Sequence, residues 1–257
     1  MIRLGSLNLK KIIMYKQSTD EEIKENKKII DILNTSKVPE SEKLQNLGLF
    51  LNRQLLTRIL TLNELYKKII NVQGYILEFG VKYGQNIALF EVLRGIYEPY
   101  NYNRKIYGFD TFEGFPSVSK SDGNYKAIKV GHNNIPKGSF QELKKILNYH
   151  ESNNPVSQVK TTNLIKGDVR KTLDKILKNN PESIFAIIFF DFDLYEPTKY
   201  CLKKIKNRLS KNSLLIFDEL NNNFFPGVTK AVLEELDLNS CEVQRLNLDP
   251  NISYIKI

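Results

Sequence analysis

From residue 74 onward, short apolar runs alternate with stretches whose apolar residues recur at helical spacing. Most of the runs end at or near an acidic residue or a glycine, which is typical of strands separated by helices. The run from Ile184 to Phe190 is unbroken, as expected for a central parallel strand that is buried on both faces. The pattern therefore predicts an α/β fold with mostly parallel strands, at residues 75–80, 105–110, 163–165, 184–190 and 213–217.

The segments on either side of this pattern predict further elements. A first helix is expected to begin at the cap formed by Ser18, Thr19 and Asp20. Residues 40–70 carry apolar positions at helical spacing, as one long helix or two shorter ones, and this surface could pack against a second subunit in a homodimer. Residues 242–246 and 253–257 predict a terminal antiparallel hairpin, which brings the sheet to seven strands. The expected organisation is an N-terminal helical arm, residues 1–72, and a doubly wound α/β domain, residues 73–257.

Composition narrows the class of protein without identifying it. The net charge is +9, but the basic residues are dispersed and form no compact stripe with interleaved aromatics, which argues against nucleic acid as the partner. The longest apolar run, 184–190, is far too short to span a bilayer, so membrane insertion is not expected. Cys201 and Cys241 form no disulfide framework and no metal motif, which predicts free thiols and a cytoplasmic protein.

Acidic residues close the predicted strands one after another. They are Glu78, Asp110, Asp168, Asp191 and the pair Asp218 and Glu219. Because the carboxyl ends of parallel strands meet at one edge of a sheet, where such folds bind ligands, these side chains are expected to gather there. Carboxylates placed together repel one another unless they meet hydroxyls, amines or a metal ion. The sequence therefore predicts a ligand site at this edge.

The first strand runs into a glycine turn. Residues 78–84 read E-x-G-x-x-x-G, which lacks the G-x-G-x-x-G spacing that seats a pyrophosphate. The turn favours a ligand without phosphates, although a plain tight turn between strand and helix would also explain the glycines. Asp110 is placed to accept hydrogen bonds from ribose hydroxyls or to cap a turn. Asp168 lies either near an adenine ring or at the N-cap of the following helix.

The fourth and fifth strands end in a denser group of acids. Asp191 and Asp193 follow the buried run, and Asp218 and Glu219 follow the next strand. Several carboxylate oxygens that converge with water suit a hard cation such as Mg²⁺. The alternative is that one or two of these residues only cap helices.

Two stretches of this chain resemble the macrocin O-methyltransferase family. They are Gly108-Phe109-Asp110-Thr111-Phe112-Glu113-Gly114-Phe115-Pro116 and Asp191-Phe192-Asp193-Leu194-Tyr195-Glu196-Pro197-Thr198-Lys199. The resemblance extends from about residue 51 to the C-terminus. It implies the Rossmann-like fold of class I methyltransferases and methylation of a sugar hydroxyl with S-adenosylmethionine and Mg²⁺. The sugar could belong to a glycan, a nucleotide-linked sugar or a glycosylated natural product.

The resemblance also implies roles for individual residues. The metal would be bound by Asp191, Asp218 and Glu219, and Asp193 would be the general base. This chain has Asp218-Glu219 where the family usually has Asp-Asp, so the Glu219 ligand is the departure. The cofactor would be bound by Glu78, Gly80, Val81, Gly84, Asn86, Asp110, Thr111 and Asp168.

Three alternatives stay open at this point, for the base, the acceptor and the class of protein. His132, in the long loop 111–139, is a second candidate base, although a single histidine in a loop is commonly a surface residue. A metal-dependent O-methyltransferase of a catechol-like molecule would share the cofactor and metal residues, so only the acceptor pocket distinguishes it. A basic nucleic-acid-binding protein, a different class, is favoured by the charge alone.

Overall fold

A computed structural model of the chain describes residues 19–257, so the Ser18 part of the expected cap and most of the N-terminal lead-in lie outside the described residues. Two compact units divide after Leu56. The boundary expected at residue 72 remains a prediction. Among the described residues, no helix has the length and apolar content that crossing a membrane requires.

The region 40–70 is divided into several helical pieces. After α1 (Asp20–Thr35) come α2 (Glu40–Lys43), a 3-10 helix (Leu47–Phe50) and α3 (Arg53–Lys67). The side-chain oxygen of Asn52 accepts a hydrogen bond of 2.8 Å from the backbone N–H of Leu55. Asn52 is thus the N-cap that begins α3, a local signal that the apolar spacing alone does not show.

Residues 75–256 hold an alternating series of strands and helices. The strands are β1 (Tyr75–Phe79), β2 (Ile106–Asp110), β3 (Thr162–Lys166), β4 (Phe185–Phe190), β5 (Leu209–Phe217), β6 (Val243–Arg245) and β7 (Ser253–Lys256). The helices are α4 (Gln85–Tyr97), α5 (Ser139–Ser152), α6 (Val169–Asn179), α7 (Tyr195–Ile205) and α8 (Pro226–Glu235), with 3-10 turns at Lys120–Asp122 and Lys206–Arg208.

The strands form one seven-stranded sheet in the order β3-β2-β1-β4-β5-β7-β6 within the described residues. Strands β1 to β5 pair in parallel, and β7 is antiparallel to both β5 and β6. The prediction of a doubly wound, mostly parallel sheet with a terminal antiparallel hairpin is confirmed.

Strand β5 begins at Leu209, earlier than the apolar run from residue 213 predicts. After Leu209, the residues up to Ser213 are polar and are held by side-chain bonds. The Ser213 hydroxyl donates to the carbonyl of Phe185 at 2.7 Å and accepts from the backbone N–H of Ser210 at 3.1 Å. Because hydrogen bonding extends this strand without apolar residues, periodicity does not find its start.

Alternation along the strands sends side chains to two cores, one on each face of the sheet. Helices α3, α4 and α5 cover the face that receives Ile76, Ile106, Ile187, Phe189 and Ile216. Helices α6, α7 and α8 cover the opposite face, which receives Leu77, Phe109, Ile188, Phe190 and Phe217. Neighbouring residues of a strand therefore point to opposite faces of the sheet and contact different helices.

A buried arginine fixes the end of α3 against the start of the sheet. Arg104 is 1% exposed and donates to both carboxylate oxygens of Glu98, at 2.8 and 2.9 Å. It also donates to the carbonyls of Gly74, at 2.5 Å, and Ile69, at 3.1 Å. The hydroxyl of Tyr66, on α3, donates to the same Glu98 at 2.6 Å. This network sets the position of α3, which carries a residue of the site described below.

We expect Arg104→Met to lower the free energy of unfolding by about 3–5 kcal/mol, because it leaves the buried carboxylate of Glu98 without its counterion. Urea unfolding followed by circular dichroism measures this difference. The matched control is Arg53→Met at an exposed position, which should change stability by less than about 0.5 kcal/mol. Equal effects of the two substitutions would contradict the structural role of Arg104.

Candidate active site

The register of three central strands brings their acidic ends together. Phe79 of β1 pairs with Phe190 of β4, which pairs with Phe217 of β5. The backbone N–H of Asp191 donates to the carbonyl of Phe79 at 2.7 Å, and that of Asp218 donates to the carbonyl of Phe190 at 3.1 Å. The residues after these strands therefore lie side by side at one edge of the sheet, as the sequence predicts.

Parity then decides which of these acids face α3 and α4. Glu78, Asp191 and Asp218 lie two residues after Ile76, Phe189 and Ile216, so they continue the face that α3, α4 and α5 cover.

Arg58 of α3 meets this row of acids. Its Nη1 donates to Oδ1 of Asp218 at 2.7 Å, and its Nη2 lies 3.7 Å from Oδ2 of Asp191. Its Nε donates to Oδ1 of Asn86 at 3.1 Å, and its Nη1 lies 3.9 Å from Oδ2 of Asp249. Arg58 was not among the residues that the sequence motifs indicate. The available signal is its position four residues before Leu62, on the buried side of α3.

A second group of carboxyls forms beside this ion pair. Ligand atoms of Asp191, Asp193 and Glu219 lie within 4.8 Å of one another. Asp193 is buried and has a left-handed backbone, with φ of 61°. The side-chain amide of Asn133 donates to Oδ2 of Asp193 at 3.1 Å. Asn133, in the long loop, is another residue that the sequence motifs do not indicate.

The electrostatics of this group favour the addition of positive charge. Burial, reinforced by the charge of Asp218, raises the pKa of Asp191 and of Glu219 well above their usual values. Burial raises the pKa of Asp193 to about 6, although a hydrogen bond with Glu219 opposes the shift. Among the described residues, Oε2 of Glu219 is buried without a hydrogen-bond partner. A divalent cation with oxygen ligands would fit this donor set.

The glycine turn is packed too tightly for any side chain. Gly80 has φ of 92°, and a Cβ at this position would lie 1.9 Å from the carbonyl oxygen of Asp191. Gly84 has φ of 87° and occupies the N-cap of α4. Both positions therefore require glycine, and the turn lies directly beside the acids that follow β4.

Glu78 is buried at this turn with one oxygen unused. It is 1% exposed, and within the described part of the chain its Oε2 has no hydrogen-bond partner. Burial raises the pKa of Glu78 to about 8, against the lowering effect of the Arg58 charge and of a hydrogen bond from Asn86. Arg58 can only donate, so Oδ1 of Asn86 faces Arg58 and its amide faces Glu78. An ionised Glu78 at this site calls for a cationic ligand group.

Asp110 caps the turn after β2, one of the two roles expected for it, and it also holds the glycine turn after β1. Its Oδ2 accepts from the backbone N–H groups of Val81 and Lys82 at 2.8 and 2.7 Å. Its Oδ1 accepts from the backbone N–H of Phe112 at 2.6 Å and lies 3.5 Å from the hydroxyl of Thr111. Asp110 thus fastens the glycine turn to the end of β2. The Thr111 hydroxyl donates its single proton to the carbonyl of Gly114 at 2.6 Å, so Asp110 accepts from three backbone N–H groups. Because a carboxylate can accept about four hydrogen bonds, one position remains for a ribose hydroxyl, and that role remains a prediction.

Asp168 is the N-cap of α6, one of the two roles expected for it. Its Oδ1 accepts from the backbone N–H of Arg170 at 3.0 Å, and the Arg170 guanidinium binds both oxygens. Hydrogen bonds from Arg170 lower the pKa of Asp168. Asp168 also lines a cleft of about 620 Å³ together with Thr111, Gly114, Phe115, Gly167 and Arg170. A position near an adenine ring is therefore compatible with its capping role.

His132 contacts another residue of the long loop rather than the cluster of Asp191, Asp193 and Glu219. Its ring lies 5.6 Å from that of Phe115, and its carbonyl accepts from the Phe115 backbone N–H at 2.9 Å. Partial burial, followed by the charges of Lys82 and Lys129, lowers its pKa. Its neighbour Asn133 is the residue of this loop that reaches Asp193.

Comparison with known proteins identifies a family that matches this chain. The Macrocin-O-methyltransferase (TylF) family profile matches residues 55–243. The calicheamicin methyltransferase CalS11 is 36% identical, with a TM-score of 0.92, over 100% of this chain and 99% of that chain. Apo CalS11, described as a TDP-rhamnose 3'-O-methyltransferase of calicheamicin biosynthesis, is 34% identical over 97% of this chain and 99% of that chain, with a TM-score of 0.83.

A more distant structure shares the fold alone. The O-methyltransferase NovP is 20% identical over 78% of this chain and 79% of that chain, with a TM-score of 0.58. Curated protein sequences give no significant match.

The doubly wound sheet has the fold of methyltransferases that use S-adenosylmethionine. The chain belongs to the macrocin O-methyltransferase family, and it is an O-methyltransferase.

We expect Glu78→Gln to stabilise the ligand-free protein at pH 8.5. A carboxyl whose pKa is raised by folding contributes stability below its unfolded pKa, and that stability is lost as the pH rises through about 8. Each tenfold difference in proton affinity between the folded and unfolded states is worth about 1.4 kcal/mol, so the melting temperature should rise by several degrees.

Thermal melts at pH 5 and pH 8.5 measure the effect, with Glu64→Gln on the partly exposed side of α3 as the control. The gain from Glu78→Gln should shrink towards pH 5, where the wild-type carboxyl is protonated in the folded state. A destabilised variant at pH 8.5 would show that the buried carboxylate is already compensated.

Proposed function

We propose that this O-methyltransferase transfers the methyl group of S-adenosylmethionine to a sugar hydroxyl with the help of Mg²⁺. The observation that carries the proposal is the placement of Asp191, Asp193 and Glu219 within 4.8 Å of one another beside the glycine turn of β1. The sugar acceptor is supported by CalS11, which acts on TDP-rhamnose and is 34% identical over 97% of this chain. A nucleotide-linked deoxy sugar is therefore the first acceptor class to test.

The turn at 78–84 would hold the methionine end of the cofactor. The unused Oε2 of Glu78 is a suitable acceptor for the cofactor ammonium. The left-handed backbone of Gly80 and Gly84 lets the turn pack closely beside the end of β4, with Glu78 at its start. Val81 lies within this turn, and Asn86 follows it in the first turn of α4. Asp110 and Thr111 would meet the ribose, and Asp168 the adenine, on the cleft side of β2 and β3.

Two of the three clustered acids, Asp191 and Glu219, would hold the metal, while the third, Asp193, is left for proton transfer. Asp191 and Glu219 supply oxygen ligands for Mg²⁺, and the predicted third ligand, Asp218, is bound to Arg58 in this structure. When bound, Mg²⁺ supplies Lewis acidity that lowers the pKa of a coordinated sugar hydroxyl. This role is supported by the hard oxygen donors of Asp191 and Glu219, since their raised pKa values favour an added cation.

Asp193 would take the proton from the acceptor hydroxyl. With a pKa of about 6, it is mostly ionised at neutral pH and close to the range in which a general base is effective. Asn133 fixes its carboxylate. The sulfonium methyl group is already activated, so the remaining task of the protein is to align donor and acceptor. His132 remains the second candidate base.

Location and assembly complete the proposal. Cys201 and Cys241 are both free, which favours a reducing compartment such as the cytoplasm. Leucines of 44–60 leave apolar surface exposed, which favours a homodimer through this part of the chain.

The test is methyl transfer from S-adenosylmethionine to TDP-rhamnose, followed by mass spectrometry of the nucleotide sugar. The expected result is a methylated sugar with Mg²⁺ and loss of product with EDTA. A simple catechol is the parallel acceptor. Methylation of the catechol with no methylated sugar would overturn the sugar assignment. Product formation in EDTA would overturn the proposed role of Mg²⁺.

We expect Asp193→Asn to lower kcat by about 10²- to 10⁴-fold while leaving cofactor affinity unchanged, because it removes the base. Asn tolerates the left-handed backbone of this position, so the substitution changes the charge with little strain. The control is Asp174→Asn, at a partly exposed acid that pairs with Lys204. A kcat within about threefold of the wild-type value would assign the proton transfer to another group, with His132 tested next.

A further inference from the structure

Arg58 places a permanent positive charge among the acids that would bind the metal. Its guanidinium lies 2.7 Å from Asp218, 3.7 Å from Asp191 and 3.9 Å from Asp249. A guanidinium does not lose its proton in proteins, so a rise in pH cannot release these carboxylates from Arg58. While the carboxylates are ionised, another cation must take the place of Arg58 to release them.

Arg58 is also held in place from its other side. Its Nε donates to Asn86 at 3.1 Å, and its guanidinium carbon lies 5.3 Å from the centre of the Phe189 ring. Its side chain is 19% exposed, so the charge is only partly screened by water. The guanidinium therefore stays beside Asp191 and Asp218 rather than turning freely into solvent.

The same carboxylates cannot serve both cations fully. Oδ1 of Asp218 accepts from Arg58 at 2.7 Å, and among the described residues the ligand atoms that converge within 4.8 Å are those of Asp191, Asp193 and Glu219, without Asp218. A divalent ion near Asp191 would also be repelled by the guanidinium, which at about 4 Å is a substantial interaction in a partly buried site. Arg58 thus opposes metal binding by occupying a ligand and by charge.

We propose that Arg58 is a built-in competitor of the metal ion: it neutralises Asp218 and Asp191 when no metal is bound and must release Asp218 for full coordination. This inference rests on the proposed function, because it concerns the same metal site. It assigns to Arg58 the regulation of metal affinity, a role distinct from holding the fold together.

The test is calorimetric titration of MgCl₂ into the wild-type protein, Arg58→Gln and Arg58→Lys. We expect Arg58→Gln to bind Mg²⁺ about tenfold more tightly than wild type, and Arg58→Lys, which keeps the charge, to stay much closer to it. The matched control is Lys204→Gln, which removes one positive charge from the carboxylate pair with Asp174 and should leave Mg²⁺ affinity unchanged. A purely structural role for Arg58 predicts the opposite sign, because a damaged site binds metal more weakly.

Equal or weaker Mg²⁺ binding by Arg58→Gln would overturn the inference, as would an absence of Mg²⁺ binding in every variant. If Arg58→Gln does not fold, Arg58→Met keeps an apolar stem against Phe189 and is judged by the same criterion. A parallel titration with S-adenosylmethionine distinguishes failure of the role proposed for Arg58 from failure of the proposed function. Unchanged Mg²⁺ affinity in a protein that binds the cofactor overturns only the role of Arg58, whereas a wild-type protein that binds no cofactor overturns the proposed function.

Discussion

The rest of the site depends on one constraint. The carboxyl groups at the ends of β1, β4 and β5 are largely withdrawn from water. The paired register of Phe79, Phe190 and Phe217 leaves no choice about where the following acids lie. Their charge must then be met by protons, by a neighbouring cation or by a ligand. The raised pKa of Asp191 and the contacts of Arg58 are two parts of this compensation.

The surrounding elements hold this costly arrangement in place. The buried bonds of Arg104 fix α3, and α3 brings Arg58 to the acids. Asp110 fastens the glycine turn through backbone N–H groups, so the turn is formed before any ligand arrives. Preorganisation of this kind lowers the cost of aligning a methyl donor with an acceptor. The hydrogen bonds of Arg104 and Asp110 thus hold together a site that contains the left-handed backbone of Asp193 and carboxyl oxygens that have no hydrogen-bond partner in the described part of the chain.

Much of the fold could be predicted from the sequence, since apolar periodicity reports burial. The run from Ile184 to Phe190 identified the central strand, and the strand-terminal acids identified the functional edge. Contacts between distant residues could not be predicted in this way. Nothing in the sequence links Arg58 to Asp218, which lie 160 positions apart, or Asn133 to Asp193. The capping role of Asp168 was one of two roles open from the sequence, and only the bonds with Arg170 select it.

Titration of S-adenosylmethionine into wild type and Glu78→Gln at pH 8.5, in the presence of Mg²⁺, tests the central claim most directly. The account predicts that wild type binds the cofactor and that Glu78→Gln, although more stable, loses about tenfold or more in affinity, because a neutral amide replaces a buried charge-assisted acceptor. Equal affinities would contradict the view that the buried carboxyl at the end of β1 is kept for a cationic ligand group.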